Sequence, residues 1–140
     1  MGVAEETIHA STVAIGGRAV LIMGPSGAGK SDLALRLIDR GGVLVSDDYT
    51  TVAQQGDTLV AMPPVRIAGQ IEVRGIGIVR TPHLESATVA LAVLLAAEDE
   101  RLPEPRTIEI SGIAVPAIVI DPRPASAPIK VEVFLGGATA

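Results

Sequence analysis

The chain has 140 residues, a formal net charge of -5 and no cysteine. This length gives one domain with a real core and is short for a complete phosphate-loop enzyme, so a trimmed catalytic core is expected. The negative charge argues against nucleic acid or an anionic membrane as the main partner, and the missing cysteines exclude disulfides and thiolate metal sites.

Apolar residues make up 48% of the chain, yet only one Phe and one Tyr are present. The core must therefore be built from Ala, Val, Ile and Leu, as in an α/β protein with a buried sheet. The mostly polar N-terminal stretch, residues 1–11, lacks a basic-then-apolar signal pattern and carries His9 before the first expected strand. Residues 12–15 and 19–23 are β-branched or apolar runs parted by Gly16-Gly17, which predicts two strands around a turn. In residues 31–40 the apolar positions Leu33, Ala34, Leu37 and Ile38 have helical spacing, and Gly41-Gly42 ends the helix. Residues 43–45 form a short buried strand that runs into Ser46-Asp47-Asp48.

Residues 51–53 and 58–61 flank Gly56 as a hairpin, and Pro63-Pro64 breaks the pattern. Residues 71–73 read as a strand, interrupted by Gly75 and Gly77. The apolar run 88–95 does not by periodicity decide between strand and helix; Val89, Val93 and the Pro-rich sequel favour a strand. The longest apolar run, 89–97, is too short to span a bilayer. Beyond it come a charged loop (98–106), a hairpin (107–110 and 113–120) around Ser111-Gly112, and a Pro-rich loop (122–128). Residues 129–135 read as a last strand, and the tail 136–140 as frayed. With no internal repeat and no linker, residues 1–140 are expected to form a single soluble, cytoplasmic domain.

The segment Gly24-Pro25-Ser26-Gly27-Ala28-Gly29-Lys30-Ser31 fits G-x-x-x-x-G-K-[ST] throughout. Glycines let successive backbone N–H groups turn inward around phosphates, and the following helix aims its positive end at them. Lys30 then bridges the terminal phosphates and the Ser31 hydroxyl ligates Mg²⁺. A strand before and a helix after are the flanks such a loop needs. ATP with Mg²⁺ is the expected ligand.

Asp47 and Asp48 sit at the tip of the next strand, where ligands collect in α/β sheets. They can supply a metal ligand and a general base. Neighbouring strand residues point to opposite faces, so one of the two is expected to reach the reacting hydroxyl. Glu72 and Arg74, two apart on a strand, are expected to share a face and to hold Mg²⁺ and phosphate charge respectively. By itself His9 reads as structural or exposed.

Four blocks in this order resemble the catalytic domain of the HPr kinase/phosphorylase family, bacterial serine kinases that modify the phosphocarrier protein HPr. They are His9 at its spacing before Gly24, the phosphate loop, Leu44-Val45-Ser46-Asp47-Asp48, and the most specific, Ile71-Glu72-Val73-Arg74-Gly75-Ile76-Gly77-Ile78. The resemblance runs from His9 to about Leu135. It implies a phosphate-loop kinase core of the HPr kinase and phosphoenolpyruvate carboxykinase type, a mixed β-sheet with few helices. It also implies that Lys30 and Ser31 bind ATP and Mg²⁺ and that Glu72 is the second Mg²⁺ ligand. The Asp47-Asp48 block then supplies the base, with Asp48 at the family's catalytic position, and His9 and Lys30 complete the centre. Arg101 resembles a catalytic arginine of the family. An HPr-like phosphocarrier is the implied partner, in a homo-oligomer that the family builds as a hexamer.

Three departures qualify the resemblance. The expected catalytic part begins almost at Met1, where the family carries a regulatory domain, and the chain stops at Ala140, where the family continues into partner-gripping helices. The family's Gly-Arg-Asn stretch, tied to reverse phosphorolysis, is replaced by Asp121-Pro122-Arg123-Pro124-Ala125-Ser126. Forward serine phosphorylation is therefore the expected chemistry. The competing readings are a catalytically weak nucleotide-sensing module and, less well matched, a small-molecule kinase, which would need a lid to exclude water.

Overall fold

The computed structural model describes residues 4–97 and 100–136. Among these residues, eleven strands and two α-helices follow one another as β1 (Glu5–Ile8), β2 (Ala10–Ile15), β3 (Arg18–Met23), α1 (Lys30–Asp39), β4 (Val43–Ser46), β5 (Thr50–Gln55), β6 (Thr58–Met62), β7 (Gln70–Val73), β8 (Gly77–Arg80), β9 (Ala87–Leu95), β10 (Arg106–Ile110), β11 (Ile113–Ile120) and α2 (Ala127–Leu135), with a 3-10 turn at Val65–Ile67 between β6 and β7. Nine strands form one mixed sheet in the order β1-β5-β6-β9-β3-β2-β4, with the β10–β11 hairpin joined through β11 to β9; β7 and β8 form a separate hairpin. The protein is a sheet-dominated mixed α/β fold, as expected.

Both faces of the central sheet are covered, which explains its composition. Along β2 and β3, Val13, Val20 and Ile22 pack on one face with Leu33 and Leu37 of α1. Ala14, Ala19 and Leu21 pack on the other with Val52, Leu59 and Val115. A strand buried on both sides loses the apolar–polar alternation of a half-exposed one. β9 is such a strand: Leu91 and Val93 serve one core and Ala92 the other. It pairs in parallel with β3 and β11, and its first residues pair antiparallel with β6.

Helix α1 ends as the Gly41-Gly42 pair requires. Gly41 N–H donates to Ile38 O, and Gly42 N–H to Leu37 O at 2.9 Å, with Gly41 at φ 104°. These two bonds form a Schellman close. Gly42 also lies so close to β2 that a Cβ would stand 2.7 Å from Val13 Cγ1.

Three expectations are corrected. Residues 129–135 form no strand; they belong to helix α2. The alternation Ile129-Lys130-Val131-Glu132-Val133 carries a β signature, but Pro128 stands in the first turn, where its fixed φ suits a helix. Ala127 and Val131, four apart, are fully buried, and Arg40, which caps the end of α1, pairs with Glu132 at 2.8 Å. Packing on one face thus overrides local propensity.

His9 does not precede the first strand. It follows β1, an exposed edge strand held by antiparallel pairing with β5 and carrying no apolar pattern to reveal it. Arg74 is not on a strand with Glu72, because β7 ends at Val73 and Arg74 opens the turn to β8. The expected loop 98–106 includes Glu98 and Asp99, which lie outside the described residues, as do 1–3 and the tail residues 137–140; Arg106 already belongs to β10. No helix among the described residues is long and apolar enough to cross a membrane.

Candidate active site

Strand direction assembles the site. β2 lies between β3 and β4 and is antiparallel to both. The carboxyl ends of β3 and β4 and the amino end of β2 therefore meet at one edge of the sheet. That edge brings together His9 and Ser11, the loop from Gly24, and the Asp47-Asp48 pair, which are far apart in the chain. Ligands in open α/β sheets collect at such an edge.

The loop Gly24–Ser31 joins β3 to α1. Gly27 at φ 83° and Gly29 at φ 105° adopt left-handed conformations that few other residues tolerate. Ala28 N–H donates to Pro25 O at 3.1 Å, and Pro25, Ser26 and Gly27 are exposed at the tip. A Cβ on Gly24 would press on Leu95 at 3.2 Å, so the base of the loop sits directly on β9. Lys30 is buried, and its Nζ donates to Gly24 O (2.8 Å) and Pro25 O (3.0 Å), folding the ammonium back across the loop.

The two acids have separate surroundings. β4 ends at Ser46, so strand alternation does not govern Asp47 and Asp48. Asp48 takes φ 68°, and Tyr49 N–H donates to Asp47 O at 2.7 Å, closing a three-residue turn that splays the carboxylates apart. Asp47 is buried. Its Oδ1 accepts from Ser11 Oγ (2.8 Å) and Ser31 Oγ (2.7 Å), and its Oδ2 accepts from Glu72 N–H (2.9 Å). Asp48 faces outward. Its Oδ1 lies 2.8 Å from His9 Nε2, with the two side chains 55% and 33% exposed. An ionised carboxylate only accepts, so His9 donates from Nε2. The His9 ring also stacks on Tyr49, with centroids 5.1 Å apart and planes inclined by 20°.

The structure thus gathers His9, Lys30, Ser31, Asp47 and Asp48. Glu72 joins through its backbone, while its side chain and that of Arg74 are exposed. Arg101 lies in the exposed loop after β9, and among the described residues no hydrogen bond or ion pair ties it to the cluster. Sequence reasoning missed two residues here. A serine inside an apolar strand gives no signal for Ser11; Tyr49, the sole tyrosine and next in sequence after the acid pair, could have been noticed.

Beside Ser31 and Asp47 a metal would find oxygen donors. Among the described residues no three His, Asp or Glu side chains form a metal cluster. Ser31 Oγ beside Asp47, with Glu72 nearby in the chain fold, fits Mg²⁺, which takes one or two protein oxygens and completes its shell with phosphate and water.

The Pro-rich segment after β11 lies against the loop. Arg36 of α1 donates to the carbonyls of Pro122 and Pro124, and a Cβ on Gly29 would meet Pro122 at 3.6 Å. Arg123 donates to the carboxylate of Asp121 and holds its pKa at about 2, below the usual carboxylate range.

Comparison with known proteins bears on the family and the fold. A family model described as the HPr serine kinase C-terminal domain matches residues 3–127. The HPr kinase/phosphorylase of Caldicellulosiruptor bescii is 40% identical over 132 residues, covering 84% of this chain and 42% of the relative. That of Enterococcus faecalis is 39% identical over 128 residues, covering 81% and 41% respectively. The chain therefore spans about two fifths of the length of these curated relatives. The solved structure of the Hpr(Ser) kinase/phosphatase from Coxiella burnetii superposes with a TM-score of 0.82 at 32% identity, over 95% of each chain.

Proposed function

The chain belongs to the HPr serine kinase C-terminal domain family, and from that premise we propose that it is an ATP-dependent kinase acting on a serine of an HPr-like phosphocarrier protein. One observation carries the reading. Two adjacent acids serve different partners: Asp47 is bonded to the loop hydroxyl of Ser31, and Asp48 to the imidazole of His9. A phosphoryl-transfer site needs this division, with one carboxylate on the metal side and one free to take a proton.

In this reading the Gly24–Ser31 loop wraps the phosphates of ATP, and Lys30 exchanges the Gly24 and Pro25 carbonyls for phosphate oxygens. Ser31 and Glu72 would hold Mg²⁺, which would supply positive charge against the phosphates, and Asp47 orients the Ser31 hydroxyl. Asp48 takes the proton from the serine hydroxyl as its oxygen bonds to the γ-phosphorus and the bond to ADP breaks. His9 holds the Asp48 carboxylate in place and stabilises its charge. Arg74, in the exposed turn beside Glu72, adds positive charge near the transferred group. Arg101 stands in this reading on resemblance alone.

The exposure of His9 and Asp48 supports a macromolecular substrate, which shields the reacting groups from water by docking. The forward reaction is favoured, because Asp121–Ser126 replaces the stretch associated with phosphorolysis. A phosphocarrier substrate places the protein in the cytoplasm as part of phosphotransferase-system regulation, and the family resemblance implies a homo-hexamer, which light scattering would measure.

The test is mass spectrometry of purified HPr and its nitrogen-type homologue after incubation with the protein and Mg-ATP. Phosphoserine should form with the wild type and not with Asp48→Asn, which keeps a residue type tolerant of the left-handed backbone. Tight Mg-ATP binding without phosphoserine would sink the kinase reading and favour a nucleotide-sensing module. Adding inorganic phosphate to the phosphorylated carrier should release little pyrophosphate if the reverse reaction is weak.

A further inference from the structure

We propose that Tyr49 is a positioning residue for the His9–Asp48 pair, holding the imidazole by its face while Asp48 holds it by its edge. The proposal rests on the kinase reading for its catalytic meaning, but not for its geometry.

Three observations meet here. First, His9 sits at the junction between β1 and β2, with backbone strands on either side but a ring one third exposed. Its side chain has one hydrogen-bond partner among the described residues, Asp48 Oδ1 at 2.8 Å. One hydrogen bond leaves an imidazole free to swing about that contact. Second, the Tyr49 ring lies on the His9 ring at 5.1 Å between centroids and 20° between planes. Offset stacking at this distance favours one ring orientation and excludes water from one face. Third, one turn delivers both partners. The left-handed Asp48 backbone, the Tyr49 N–H bond to Asp47 O, and the Ser46 hydroxyl bond to Tyr49 O fix Asp48 and Tyr49 relative to each other. A rotation of the turn would carry the base and its clamp together.

Tyr49 is 48% exposed, so core packing does not explain its place. Among the described residues its hydroxyl makes no hydrogen bond, which leaves the ring as the working part. The ring is also the sole tyrosine, and there is no tryptophan.

The discriminating experiment compares the full chain as wild type, Tyr49→Phe and Tyr49→Ala. In NMR spectra the His9 ring protons should be displaced upfield by the stacked ring in wild type and Tyr49→Phe. They should return downfield in Tyr49→Ala, and the His9 Nε2 proton should exchange faster with solvent there. His83, the only other histidine, should not move in any variant and so reports that the fold is intact. In the transfer assay Tyr49→Ala should lower kcat by about 10- to 100-fold, the scale expected for a misplaced catalytic group, with the KM for Mg-ATP unchanged. Tyr49→Phe should restore kcat to near the wild-type value.

Unchanged His9 signals in Tyr49→Ala would overturn the proposal, as would a Tyr49→Phe enzyme as slow as Tyr49→Ala, since the hydroxyl would then matter. If the wild type transfers no phosphate, the kinase reading fails while the NMR comparison still decides the clamp.

Discussion

Ser11 donates from its buried hydroxyl to Asp47 Oδ1 at 2.8 Å, and Ser11 Oγ itself accepts the backbone N–H of Asp48 at 3.0 Å. One side chain at the start of β2 thus sets the position of one acid and the direction of the other. Ser11→Ala removes both bonds and leaves buried partners short of one contact each. It should destabilise the protein by about 1–3 kcal/mol, the usual cost of an orphaned buried polar group. Urea unfolding followed by circular dichroism measures this; a change below about 0.5 kcal/mol, the range of ordinary surface substitutions, would show that the bond carries little.

Asp47 and Asp48 should respond differently to the same change. Asp48→Asn removes a charge from an exposed site and should leave stability within about 0.5 kcal/mol of wild type. Loss of its general-base contribution should lower transfer by about 10²- to 10⁴-fold. Asp47→Asn places an amide that offers one acceptor oxygen where three donors converge. It should cost about 1–3 kcal/mol in stability and weaken Mg-ATP binding in calorimetry. Equal effects from the two variants would contradict the division of labour between them.

Gly42→Ala tests the close packing of α1 on β2. The added Cβ would stand 2.7 Å from Val13 Cγ1 and 2.9 Å from Leu37 O, the second of which is backbone and cannot turn aside. Overpacking of this kind should cost about 1–3 kcal/mol in thermal or urea unfolding. A neutral result would mean that the helix end shifts freely.

The Asp121–Arg123 pair predicts a defined acid dependence. Its carboxyl is lowered from 3.8 to about 2, chiefly by the hydrogen bond from Arg123. A depressed folded-state pKa means that the pair's contribution is complete above pH 3.8 and is lost as pH falls towards about 2. Carboxyl NMR titration should place the Asp121 midpoint near 2 in wild type and return it towards 3.8 in Arg123→Ala. Stability at pH 7 should change little, because Arg123 is 80% exposed and the pair is solvent-screened.

Much of the protein was determined by the chain alone, because the relevant forces are local. The phosphate-loop spacing requires residues with left-handed freedom at Gly27 and Gly29, and the structure places both there. Apolar spacing at Leu33, Ala34 and Leu37 marks a helix face whatever lies opposite it. The run in β9 was legible only as buried, since covering both faces erases the alternation that separates strand from helix.

What tertiary structure alone decided is long-range. The strand β1 exists because β5 offers it a backbone ladder, and α2 is a helix because Ala127 and Val131 find a core on one side. Asp47 and Asp48 are neighbours in the chain, yet their surroundings diverge through His9 and Ser11 at the start of β2 and Ser31 in α1, two other segments. No local pattern could separate the two acids, because hydrogen-bond partners that distinguish them are supplied by the antiparallel placement of β2 between β3 and β4.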